Sequence, residues 1–473
     1  MKGKQSSRPS ISRRNFLKTG ALTSLVLGAG AHMQSARAAE QISEGSAKNI
    51  IFLVSDGMSN GTLSIADQYL RWKEGKRSHW MQLYLDRRGR RGLMDVASLD
   101  SLVTDSAASS AAWGCGHRVN NGSLNIGPDG THHTPILPLA RASGKATGLV
   151  TTTTVTHATP AGFAANVPHR QQEAEIAEQY LEREIDIILG GGRNHFEPGR
   201  RDDEQDLTGK FAEKGYAVVR TRAELDDIPL RQRKILGLFA NGHLRYELDR
   251  VNTPSIKRDV PSLSELTTRA LRALSRNEDG FILQVEGGRV DHAAHSNDIG
   301  GLILDQLAFD EAIGVALEFH AANPDTLVII TTDHGNANPG LNSGNNKGER
   351  NFSLLSEFKG THGALQLNAE QSSGEIMDRF KEVTGLEISS DNADLLRRRL
   401  NEEYRVPYHR MNGISAMIGQ VIANHIDIGW VGNSHTSDYV ELMALGPGSE
   451  GIKPYTMNTD LFDLMVKASG IET

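Results

Sequence analysis

The sequence predicts an α/β fold built on a large, mostly parallel sheet covered by helices. Two observations point there. Apolar, β-branched runs alternate with helical patterns along the chain, the order that parallel strands joined by helices produce. Four of those runs deliver polar residues at their carboxyl ends, where ligands bind in open α/β sheets.

In chain order, the first stretch is not part of the fold. Ser12-Arg13-Arg14-Asn15-Phe16-Leu17-Lys18 is a twin-arginine sequence, residues 21–31 are apolar, and Ala36-Arg37-Ala38 fits a small-x-small cleavage site. The apolar run falls well short of the ~20 residues a membrane span needs. Residues 1–38 read as a twin-arginine signal peptide, so the mature chain is expected in the periplasm or secreted, with the export machinery as a partner in transit and no stable membrane anchor. That segment holds seven Lys/Arg and no acid, so its removal takes the net charge from −7 to about −14. Nucleic-acid binding needs a basic footprint and is not expected. Cys115 is the only cysteine, which excludes an internal disulfide and thiolate metal sites.

Strands are expected at 49–55, 146–152, 185–189, 281–285, 326–332 and 439–445, and helices at 171–183, 262–276 and 304–321. Asp56-Gly57 follows the first strand, a pair common in plain turns. Val103-Thr104-Asp105-Ser106-Ala107-Ala108 places an acid and a hydroxyl at the start of a small-residue helix. That pair serves either as a helix cap or as a nucleophile facing an anion held by the helix N-terminus. Glu286-Gly287 follows the strand at 281–285. Asp291-His292-Ala293-Ala294-His295 puts Asp291 and His295 on one helical face, a spacing that suits Zn²⁺ or a solvated Asp–His pair. Asp333-His334 ends the strand at 326–332 with two metal-capable side chains. His435, in Gly432-Asn433-Ser434-His435-Thr436, is one of 17 histidines and weak by itself. The segment at about 336–430 reads as an insertion or cap over the sheet edge, with a charged helix at 395–404. His362 and His409 within it are expected on the solvated surface.

Taken together and in this order, Asp56-Gly57-Met58, Asp105-Ser106-Ala107, His157-Ala158-Thr159-Pro160, Leu189-Gly190-Gly191-Gly192-Arg193, Glu286-Gly287, Asp291-His292 with His295, Asp333-His334 and His435-Thr436 closely resemble the alkaline phosphatase family. The resemblance covers roughly 48–335 and returns at about 432–448. It implies a three-layer α/β/α sandwich around the central sheet, formed by residues 39–473. It also implies two Zn²⁺ and one Mg²⁺ per subunit. By the resemblance, Asp291, His295 and His435 hold the first zinc. Asp56, Asp333 and His334 hold the second, which also meets the hydroxyl of Ser106. Asp56, Thr159 and Glu286 hold the magnesium. These donor types suit the ions, since zinc takes imidazole and carboxylate while Mg²⁺ accepts only oxygens.

The implied reaction is hydrolysis of small phosphate monoesters through a phosphoserine at Ser106. Arg170 would grip the phosphate, with Asp105 positioning Arg170. His157 and His292 fill two positions that vary in the family and tune the site. A phosphodiesterase of the same superfamily and a non-catalytic phosphate- or metal-binding protein remain as alternatives. A sulfatase is disfavoured, because Ser106 is not followed by x-Pro-x-Arg. The sequence leaves open whether the chain forms a homodimer.

Overall fold

A strand buried on both faces must be apolar on both, so the central strands of a covered parallel sheet read as continuous apolar runs. The structure, a computed structural model, describes residues 45–343 and 348–472. The expected signal peptide lies outside them. In chain order the strands are β1 (Asn49–Val54), β2 (Arg90–Asp95), β3 (Ala146–Thr154), β4 (Ile187–Gly191), β5 (Ala217–Val219), β6 (Ile235–Leu238) and β7 (Phe281–Glu286). They continue with β8 (Thr326–Thr331), β9 (Gly335–Asn336), β10 (Pro339–Leu341), β11 (Ile428–Trp430), β12 (His435–Thr436), β13 (Val440–Leu445) and β14 (Tyr455–Met457). Ten of these form one sheet in the order β14-β2-β13-β8-β1-β7-β3-β4-β6-β5. Only β13 runs against its neighbours, β2 and β8; the other adjacent pairs are parallel. All six expected strands lie in this sheet.

Side chains alternate between the two faces of a strand, and β1 shows the consequence. Ile51 and Leu53 belong to one apolar cluster, with the helices Asn60–Glu74, Leu263–Leu274 and Ile299–Ala322. Ile50, Phe52 and Val54 belong to a second, with Ser106–Cys115, Ile136–Ala142, Glu173–Glu182 and Asp460–Ser469. The result is a three-layer α/β/α sandwich, and the described residues fall within one compact unit. The helix expected at 262–276 forms because Ser262 and Glu265 make a reciprocal capping box. No helix among the described residues is long and apolar enough to cross a membrane.

The segment expected as an insertion is zipped at its ends. β9 pairs with β12 and β10 with β11, both antiparallel. Between them, Phe352, Phe380, Leu396 and Ile422 join the same apolar cluster as Ile51. The charged helix expected at 395–404 runs instead over Ser390–Leu400, starting five residues earlier because Ser389 caps it. His409 is exposed, as expected of a surface residue. His362 departs from that expectation: both ring nitrogens are buried and unpartnered, and its backbone N–H bonds the Asp298 carboxylate.

Candidate metal centre

β8, β1, β7 and β3 are parallel neighbours at the middle of the sheet, so their carboxyl ends open on one edge. Asp56 follows β1, Glu286 ends β7, Asp333 and His334 follow β8, and His157 and Thr159 follow β3. The turn after β1 requires glycine. Gly57 has φ +68°, and a Cβ there would stand 2.5 Å from Asp291 Oδ1. Its N–H instead bonds Asp333 Oδ1 at 2.8 Å, tying two of the strand ends together.

The ligand atoms of Asp291, His295 and His435 lie within 4.8 Å of one another. His295 Nδ1 is 2.9 Å from the Asn433 carbonyl and His435 Nδ1 is 2.9 Å from the Thr104 carbonyl. A carbonyl only accepts, so each Nδ1 carries a proton and donates it. In the neutral rings both Nε2 lone pairs then face each other across 3.0 Å. Burial, followed by the His334 imidazole, pushes the His435 pKa down to about 4, which keeps that ring neutral. Two lone pairs converging beside the Asp291 carboxylate make a site for a cation.

Asp56, Asp333 and His334 form a second group with the same spread. His334 Nε2 lies 3.1 Å from Asp333 Oδ2 and 3.7 Å from Asp56 Oδ1. Ser106 Oγ is 3.3 Å from the same Nε2. Ser106 opens the helix Ser106–Cys115, and Asp105 caps it by accepting from Ala108 N at 2.9 Å. The other carboxylate oxygen of Asp105 accepts from Gly122 N and from Arg170 Nη1, each at 3.0 Å. Cap and arginine anchor are therefore two oxygens of one residue.

Around Glu286, Asp56 Oδ2 accepts from Thr159 Oγ1 at 3.4 Å. Glu286 Oε2 accepts from Thr151 and Thr153, leaving Oε1 free of hydrogen bonds. His157 Nδ1 lies 3.6 Å from that oxygen. Its Nε2 accepts from Arg170 Nη2 at 3.0 Å. His292 Nδ1 likewise accepts from Arg289 Nη1 at 2.7 Å.

Four carboxylates, of Asp56, Glu286, Asp291 and Asp333, are at most 5% exposed in this small volume. Burial, and then the charges of Asp333, Asp291 and Glu286, push the Asp56 pKa well up. Burial opposes ionisation of Asp291 as well, but the histidines His295, His435 and His334 outweigh it and hold that group well below the carboxylate range. Asp56 Oδ1 and Glu286 Oε1 have no hydrogen-bond partner. Burying unpaired carboxylates costs several kcal/mol each, roughly, so the cluster fits divalent cations.

Every residue expected at the site thus reaches this edge of the sheet. Others arrive with them that the sequence reading did not single out. Asn336 Nδ2 bonds Asp291 Oδ1 at 2.6 Å, and Thr151 and Thr153 hold Glu286. His243 lies with its ring centre 4.5 Å from that of His292, tilted by 46°, and accepts from Thr154 N, and burial pushes its pKa down to about 4. The Thr151–Thr154 run at a strand end was a legible signal; Asn336 and His243 carry none without the fold.

A family model described as alkaline phosphatase matches residues 47–471. Alkaline phosphatase 4 of Bacillus subtilis (strain 168) is 30% identical, over 96% of this chain and 96% of that protein. The crystal structure of Thermus thermophilus alkaline phosphatase superposes with a TM-score of 0.83 at 35% identity, covering 93% of this chain and 96% of that one. That of a cold-active alkaline phosphatase from Shewanella sp. gives 0.74 at 28%, covering 90% and 100%. With the match running through almost the whole described chain, this protein belongs to the alkaline phosphatase family.

Proposed function

We propose that the chain hydrolyses small phosphate monoesters through a phosphoserine at Ser106. The observation that carries this reading is the position of Ser106 Oγ, 3.3 Å from His334 Nε2 at the edge of the carboxylate–imidazole cluster and at the start of a helix. Zn²⁺ held by Asp291, His295 and His435, Zn²⁺ held by Asp56, Asp333 and His334, and Mg²⁺ held by Asp56, Thr159 and Glu286 would together supply Lewis-acid stabilisation of charge on the reacting oxygens.

The chain's own residues account for the rest. Arg170, gripped by Asp105, presents a planar fork suited to two phosphate oxygens. The unpaired N–H groups at the start of the Ser106 helix add favourable dipoles for an anion. Ser106 Oγ gives up its proton and attacks phosphorus, a P–O bond forms, and the bond to the alcohol breaks as that oxygen leaves and takes up a proton in its place. A water molecule then attacks phosphorus from the vacated side, the bond to Oγ breaks, and phosphate is released with Ser106 restored. Two inversions leave configuration at phosphorus retained. The leader sequence supports export by the twin-arginine route to the periplasm or beyond.

The test is hydrolysis of an aryl monoester and of the matching diester, with metal analysis, for wild type and Ser106→Ala. Monoester turnover should fall by about 10³-fold or more in Ser106→Ala with zinc content kept. Full activity in that variant would sink the covalent route, and preference for the diester would sink the monoesterase reading.

A further inference from the structure

Beside the proposed catalytic serine lies a cleft of about 500 Å³. Its walls include His295 and His435, Val103 from the loop before Ser106, and Tyr408, Arg410 and Val431. Tyr408 and Arg410 belong to the segment between β10 and β11, so that segment meets the reactive centre here.

Two features of this wall are unusual for a protein surface. Val103, Tyr408 and Val431 are 38%, 49% and 65% exposed, and they are three of the eleven large apolar side chains left exposed among the described residues. Clustering of exposed apolar surface marks a binding site more often than chance does. Arg410 is exposed too, and its guanidinium bonds only a neutral partner, Ser434 Oγ at 3.3 Å. Among the described residues it forms no ion pair. The chain as a whole is acidic, with net charge −7, so an arginine left without a carboxylate is available to an incoming anion.

We propose that this cleft is a leaving-group subsite for monoesters whose alcohol carries a planar apolar body and an anionic group. The inference rests on the monoesterase reading above. Tyr408, Val103 and Val431 pack against the apolar body, and Arg410 takes the anion by a charge-assisted pair of hydrogen bonds. The pocket is large enough for a bicyclic ring, since small-ligand sites run from roughly 300 Å³ upward. His295 and His435 line it, so an alcohol seated there lies next to residues of the proposed metal centre.

The experiment compares phenyl phosphate, 2-naphthyl phosphate and 6-carboxy-2-naphthyl phosphate on wild type, Arg410→Ala and Tyr408→Ala. Wild type should favour the carboxylated ester over 2-naphthyl phosphate by about fivefold or more in kcat/KM. Arg410→Ala should erase that preference while keeping phenyl phosphate within about twofold. Tyr408→Ala should lower both naphthyl esters relative to phenyl phosphate. Fluorescence titration with 6-hydroxy-2-naphthoate reads the cleft without turnover, and Arg410→Ala should weaken that binding about tenfold. If wild type hydrolyses no monoester, the monoesterase reading fails and the titration still judges the cleft. Equal losses on all three esters, or unchanged titration, would overturn the proposal. So would a change of oligomeric state in Val431→Asp with substrate preference intact, which would assign the cleft to subunit pairing.

Discussion

Arg170 Nη2 donates to His157 Nε2 at 3.0 Å. A guanidinium can only donate, so this nitrogen of His157 holds the lone pair and, in the neutral ring, the proton is on Nδ1. That N–H faces Glu286 Oε1 at 3.6 Å and Asp56 Oδ2 at 3.9 Å. While Arg170 is in this position His157 turns an N–H toward the carboxylates, beyond hydrogen-bond range, and offers them no lone pair for a shared ion. The remaining donors of that group, Asp56, Thr159 and Glu286, are all oxygens, the set Mg²⁺ takes.

This relationship predicts what the double variant His157→Asp, His292→Lys will do. An aspartate would exchange an N–H for carboxylate oxygens next to Asp56 and Glu286 and would give Arg170 an anionic partner. Magnesium affinity should rise about tenfold, the scale typical of changes just outside a ligand set. The pH optimum should move down. Magnesium titration of chelated enzyme and a pH–rate profile check both. Unchanged curves would remove these residues from any tuning role.

The fold was legible because its central strands are buried on both faces, and Ile50–Val54 or Phe281–Val285 can only be read as such. β2 escaped because it lies near the sheet edge with Arg90, Arg91 and Leu93 exposed, leaving no apolar run. β6 escaped because Gly237 interrupts four residues. Part of the site was legible for a different reason: Asp56, Glu286, Asp333 and His334 stand at or directly after strand ends, so local sequence carries their position, whereas His435 is placed by the family resemblance. His243 reaches the centre by tertiary packing alone, and the backbone N–H of His362 is tied to Asp298, which is 64 residues away.

Asp105 predicts a separation of binding from turnover. In Asp105→Asn one amide oxygen can still cap the helix at Ala108 N, and asparagine caps as well as aspartate. The amide NH₂ then opposes Gly122 N–H and the Arg170 guanidinium, both donors, where a carboxylate oxygen now accepts. Inhibition by inorganic phosphate should weaken by about tenfold or more, with kcat falling less and stability changing by about 1 kcal/mol. Loss of turnover with phosphate affinity intact would contradict the positioning role.

Metal removal should reveal the repulsion inside the carboxylate cluster. Burial and the neighbouring acids raise the Asp56 pKa in the metal-free chain. A raised folded pKa means the stabilising contribution is fully present below the unfolded value and is lost as pH rises through the folded one. Chelated protein should therefore melt at a higher temperature in mild acid than at alkaline pH. Adding back zinc and magnesium should reverse that trend at alkaline pH, by about 4 kcal/mol at a thousandfold excess over Kd. Thermal denaturation across pH, with and without chelator, reads this directly, and identical curves would mean that the cluster does not bind metal.

Asp305, which is none of the proposed ligands, carries the last prediction. It lies in the helix Ile299–Ala322, is buried, and accepts from Glu247 N at 3.0 Å. Burial pushes its pKa well up, Arg289 partly opposes that, and the nearby Glu247 and Asp249 add to it. Its contribution to stability is whole below the ordinary carboxylate range and declines as pH climbs through the raised value, at about 1.4 kcal/mol per pH unit. Asp305→Asn keeps a carbonyl acceptor for Glu247 N and removes the charge. The metal-loaded variant should equal or exceed wild type in denaturant midpoint at alkaline pH, fall below it in acid, and show a flatter slope between. Parallel slopes for the two proteins would mean that Asp305 is ionised throughout and that Arg289 compensates its charge in full.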